Sequence, residues 1–81
     1  MTASNRDIES FLLLKEMGEQ KRKIERILCK YNVDTIEALE RLVNERKVPE
    51  HPAYEDLLDV LALKNSMEET KSVFKALIEA Y

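Results

Sequence analysis

Eighty-one residues, 44% of them apolar and 36% charged, with a formal net charge of −3, are enough for one hydrophobic core and too few for two, so a single all-α domain over residues 1–81 is expected. The apolar share suffices to pack a core despite a charged share above the roughly 25% of ordinary domains, which excludes a disordered chain. One glycine and two prolines in a background of strong helix formers exclude a sheet protein, and the lone glycine excludes a Gly-rich phosphate loop.

From Asp7 onward, Ile8, Phe11, Leu12, Leu14, Met17, Ile24, Ile27, Leu28 and Tyr31 recur at three- and four-residue steps, which predicts a first long helix over about 6–31. Asn5 is its candidate N-cap, Asp7 and Glu9 put negative charge where the helix dipole favours it, and disorder is expected only at Met1 to Ser4. Asn32 breaks the pattern. The stretch Asp34-Thr35-Ile36-Glu37 has capping-box spacing with Asp34 as the cap, so a short helix is expected over about 35–46, with Ile36, Leu39, Leu42 and Val43 in one stripe. Pro49 and Pro52 bracket a connector, and Pro52 opens a third helix over about 52–80. There Ala53, Val60, Leu63, Met67, Thr70, Phe74, Leu77 and Tyr81 keep a seven-residue seam, widened by Leu57, Leu58, Leu61 and Ile78.

The architecture these elements predict is all-α: an antiparallel hairpin of the two long helices, with Tyr31 near Tyr54 and Ile8 near Leu77, and the short helix packed on the loop end. Tyr31 and Tyr54 are expected to close that end of the core. A competing arrangement follows from two weak points. Gly18 costs a helix interior about 1 kcal/mol, and Ser66 with Glu69 three residues on could start a new helix. Breaks at both would give a compact four- or five-helix bundle.

The chemistry-bearing residues are few. Residues 21–30 carry five basic side chains against one acidic, and Lys21, Arg22, Lys23, Arg26 and Lys30 are the candidate nucleic-acid contacts. Against that, the chain is acidic overall and no aromatic residue interleaves the basic ones. The hairpin also sets this run beside Glu50, Glu55, Asp56 and Asp59, so the charges are expected to pair within the molecule. His51, with Glu50, Glu55 and Asp56 nearby, reads as a solvated connector residue rather than a metal ligand. Cys29 has no second cysteine to pair with and no histidine base, and a buried or half-buried structural role is expected. Carboxylate pairs such as Glu68 with Glu69 belong to solvated helix faces. No catalytic residue, metal, cofactor or small-molecule substrate is therefore expected. No apolar run exceeds the four residues of Phe11 to Leu14, far too short for a membrane span, so a reducing, cytoplasmic setting is expected.

The remaining anomaly is at the end away from the loop. The short helix can cover only about half of helices that are roughly 40 Å long. The uncovered half still carries Phe11, Leu12, Leu13 and Leu14, which advance about 300° around their helix, facing Val73, Phe74, Leu77, Ile78 and Tyr81. Two helices cannot bury them all. Phe11, Leu12, Leu13, Leu14, Phe74, Leu77, Ile78 and Tyr81 are thus the candidate partner-binding residues, with Phe11 and Leu13 as anchors, for a protein partner or a second copy. In general shape the chain looks like an adaptor, accessory chaperone or regulatory subunit; that likeness is one of architecture alone.

Overall fold

The computed structural model describes residues 5–80, which form three helices: α1 (Asn5–Lys30), α2 (Ile36–Asn44) and α3 (Glu50–Glu79). The expectations for Met1 to Ser4 and for Tyr81 fall outside the described residues. α1 and α3 pack against each other as an antiparallel hairpin, and α2 lies at the loop end, packed chiefly on α3. At about 1.5 Å per residue the long helices span roughly 39 and 45 Å, and the molecule measures 55 × 19 × 17 Å. Its radius of gyration is 16.3 Å, against about 12 Å for a compact chain of this length. The compact bundle is thereby replaced by two unbroken helices.

Both suspected break points are helix interior, for identifiable reasons. A Cβ built on Gly18 would meet only the Arg22 guanidinium, at 3.5 Å, so no neighbour approaches closely enough to require glycine there, and α1 runs through it without interruption. Ser66 caps no new helix. Its carbonyl instead accepts the Thr70 hydroxyl at 2.9 Å, an i−4 bond that satisfies the buried Thr70 without leaving the seam.

The ends of the elements are set locally. After α1 the chain turns through Asn32 at φ 55°, with the Val33 amide donating to the Leu28 carbonyl at 3.2 Å and the Asn32 amide to Cys29 at 3.1 Å. α2 ends the same way around Arg46 at φ 56°, with Lys47 donating to Leu42 and Arg46 to Val43. Both are Schellman stops, which tolerate Asn but strain Arg. The cap of α2 is Thr35, whose hydroxyl accepts from the Ala38 amide at 3.1 Å, not Asp34 as the capping-box reading had it. His51 is extended, with φ −104° and ψ 129°, so regular helix starts at Pro52, where a missing amide costs nothing.

The core sits at the loop half: Ile24 and Leu28 of α1, Leu39 of α2, and Leu57 and Val60 of α3, with Val33, Ile36, Val43 and Leu61 packed around them. Leu39 and Val60 are fully buried. Every described residue of the predicted α3 seam, from Ala53 to Leu77, is buried or half-buried. Two expected members of the loop-end core are not in it. Leu58 and Tyr54 are both 47% exposed, because α2 reaches only the flank that carries Leu57 and Leu61.

Candidate partner-binding surface

Among the described residues the densest polar cluster is a clamp across the hairpin at the loop end. Lys30 Nζ lies 2.9 Å from Asp56 Oδ2, and the Tyr31 hydroxyl donates to the same oxygen. Burial, then the hydrogen bond to Asp56, pushes the Tyr31 phenol up to about 12. The bond from Tyr31, then that from Lys30, holds the Asp56 carboxyl below its ordinary value. Both shifts move away from neutrality, so near pH 7 the phenol keeps its proton and the carboxylate stays ionised. Neither is poised to exchange protons, as a general acid or base must be. The clamp fixes register.

The other chemistry-bearing residues stay dispersed. His51 Nδ1 is 2.8 Å from Glu55 Oε1, with both side chains well exposed, and no group of three metal-ligating side chains comes together among the described residues. Cys29 is exposed, contrary to the buried role expected of it: it occupies the outer side of α1, beside Glu25 and Asn32. The sequence's pairing of the basic run with the 50–59 acids holds for Lys30 alone. Among the described residues Lys21, Arg22, Lys23 and Arg26 form no ion pair. Arg22, Lys23, Arg26 and Lys30 are exposed and fall within an arc of roughly 100° at the helical step, while Lys21 points away from it.

The apolar candidates divide. Phe11 is 66% exposed, Leu12 55%, Leu14 51% and Ile78 49%, with Ile8 and Val73 at about the same level. Leu13, Phe74 and Leu77 are half-buried and belong to the α1–α3 seam; Tyr81 lies outside the described residues. The anchor role expected of Leu13 therefore conflicts with its packing, and Phe11 is the cleaner of the two. Two residues with large exposed area, Ile8 and Val73, were not among the candidate contacts.

Heptad spacing explains what lies uncovered. Leu14 is two seven-residue steps from Leu28, and Ile78 is three such steps from Leu57, so each pair shares a stripe of its helix. At the loop end Leu28 and Leu57 are buried with Leu39 of α2. At the far end the same two stripes surface at Leu14 and Ile78, where α2 has ended. Between Leu57 and Ile78 the α3 stripe carries Lys64 and Lys71.

No helix among the described residues is long and apolar enough to cross a membrane. No curated protein and no solved structure matches the chain. Residues 5–80 do match a family of proteins, and the chain belongs to it: the Uncharacterized protein MJ0235 family.

Proposed function

We propose that this protein is a small, non-enzymatic, cytoplasmic interaction module, an adaptor, accessory chaperone or regulatory subunit, that docks a short amphipathic helix of a protein partner on the far end of its hairpin. The observation that carries this is the continuity of one surface. The stripes that α2 covers at Leu28 and Leu57 run on, through Lys21 of α1 and Lys64 and Lys71 of α3, to Leu14 and Ile78, which are uncovered. A partner segment resembling α2, apolar on one face and acidic at its edge to meet Lys64 and Lys71, would complete the far half as α2 completes the near one. Phe11, beside Leu14, is the anchor, since a desolvated aromatic contributes most at such a contact.

The test is Phe11→Glu. Because Phe11 is 66% exposed, thermal unfolding should shift little, while capture of the partner that wild type retains from its own cell extract should be lost. An unchanged set of captured proteins would refute this reading.

A second reading uses the exposed arc of Arg22, Lys23, Arg26 and Lys30 for nucleic acid. Lys30 is tied to Asp56, which leaves Arg22, Lys23 and Arg26 without an ion partner among the described residues. Such a patch would lose affinity with a log–log salt slope of about −3, and a slope of that size that falls by about one in Arg26→Ala would favour it over the protein-binding reading.

A further inference from the structure

The face of the hairpin opposite α2 carries a second, independent feature. Lys23, Arg26 and Ile27 of α1 and Asp59, Ala62, Leu63 and Ser66 of α3 line an open groove, with Ile27, Ala62 and Leu63 as its apolar floor. Ala62 is about 140° around α3 from Leu57 at the helical step, and Leu57 packs with α2's Leu39, so groove and α2 lie on different sides. One stripe of α1 runs along the groove's edge. Glu9, Glu16, Lys23 and Lys30 follow at seven-residue steps, and the stripe changes sign at its middle. Leu12 sits four residues before Glu16 and so shares that edge.

We propose that this face binds a second copy of the chain, the two copies crossing antiparallel about a two-fold axis at the middle of the stripe, α1 on α1 and α3 on α3. Placing the axis midway between Glu16 and Lys23 brings Glu16 of one copy onto Lys23 of the other, twice by symmetry. The same step sets Glu9 level with Lys30 and Leu12 onto Ile27 in the groove floor. α3 fits the same axis independently. The contacts of Lys30 and Tyr31 with Asp56 fix the hairpin register, which puts the axis level with about Met67 and Glu68 on α3. Rotation about it carries Val73 onto Ala62, on the groove floor. Leu12 and Val73, 55% and 53% exposed, thus both reach the apolar groove of the other copy. Glu16 and Lys23 have no ion partner within the chain among the described residues.

Surface area points the same way. The chain exposes 6249 Å², where a compact monomer of its mass exposes about 5,000 Å². The excess exceeds the roughly 800 Å² that each partner contributes to a standard interface. Four antiparallel helices in the middle with α2 outside is the arrangement of a bundle whose core two hairpins share. Phe11 and Leu14 remain free at each end for the partner proposed above.

The experiment is sedimentation velocity with light scattering on the full chain. Wild type should run at twice its 9.5 kDa. Glu16→Lys and Lys23→Glu, both at exposed positions, should keep their helix content by circular dichroism and each weaken self-association at least about tenfold, because each places like charges at both symmetric contacts. Mixing the two variants in equal amounts should restore the dimer, since position 16 of one then faces the opposite charge at position 23 of the other, in both contacts. A monomeric wild type, single variants that dimerise as wild type does, or a mixture that stays monomeric would each overturn the proposal. Phe11→Glu should leave the dimer intact. A dimer lost there but kept in Glu16→Lys would place self-association at the hairpin end and overturn this face as the interface.

Discussion

The two halves of the hairpin are built on the same stripes and end in different states. Near the loop, Leu28 and Leu57 are 7% and 6% exposed. One end away, Leu14 and Ile78 on the same stripes are 51% and 49% exposed. Residue type at these four positions does not distinguish them. What does is the nine-residue length of α2, which gives the near half a third layer and stops. The seams differ too. The far half places Ser10 in its seam and Gln20 stands at the junction with the near half; among the described residues the buried Ser10 Oγ and Gln20 Oε1 have no hydrogen-bond partner, a cost of the order of 1 kcal/mol or more for each. Burial in this molecule is decided by which element is long enough to cover a stripe, and the stability should be held unevenly as a result.

The strongest way to break this comparison is to remove the keystone of the covered half. Leu39 is fully buried where all three helices meet, so Leu39→Ala should cost about 2–5 kcal/mol through lost transfer energy and a residual cavity. Leu14→Ala, half exposed on the continuation of the stripe under it, should stay within about 0.5 kcal/mol. Urea midpoints of the two variants measure the difference directly. Comparable losses would mean that the far end is covered within the monomer after all.

A smaller effect is expected at the clamp that ties the near half together. Tyr31→Phe removes the hydrogen bond to Asp56 and should cost about 1 kcal/mol at this half-exposed site. Its pH signature has two arms. The Asp56 carboxyl is lowered in the fold, so its contribution is complete above its ordinary value of 3.8 and fades as pH falls through the lowered one. The Tyr31 phenol is raised from 10.0 to about 12, so its contribution is complete below pH 10 and is lost as pH rises toward 12. In Tyr31→Phe the alkaline arm should vanish from a plot of urea midpoint against pH, and the acid arm should shrink to what Lys30 supplies. An alkaline arm of wild-type size in the variant would show that Tyr31 does not cause it.

Most of the fold was legible because it is carried by long, regular patterns. Helix type and order, the antiparallel pairing, the α3 seam and the uncovered far end all follow from steps of three, four and seven over many residues. What was missed turns on geometry that spacing does not encode. Asp34 and Thr35 are both good caps, and only the chain's exit from the Asn32 turn decides that Thr35 faces the Ala38 amide. Leu58 and Tyr54 belong to the apolar set, but they lie on the flank of α3 that a single short helix cannot reach. Residue type favours the interior for Cys29, but it is next to the buried Leu28 in sequence and therefore points about 100° away from it. Leu13 was grouped with its neighbours because four apolar residues in a row hide the phase, which only the packing of Met17 and Ile24 on the same side reveals. The edge of the groove opposite α2 is marked in the sequence by the single change of sign along Glu9, Glu16, Lys23 and Lys30, which gains meaning only with the hairpin register.

The smallest predicted effect concerns the junction between the halves. Gly18 stands where a break would have turned the far half back on itself, and the helix passes through it unbroken. Its conformational freedom is therefore not used: its φ is not positive, and an added methyl would touch only the flexible end of Arg22 at ordinary van der Waals distance. Gly18→Ala should accordingly stabilise the protein by up to about 1 kcal/mol, from higher helix propensity and a less disordered unfolded chain. The gain should be local, appearing in amide hydrogen exchange as slower opening on the far side of residue 18, while protection around Leu39 rises only with global stability. A destabilised variant would show that α1 bends at Gly18 in solution, and that the two halves are joined by a hinge rather than by one continuous helix.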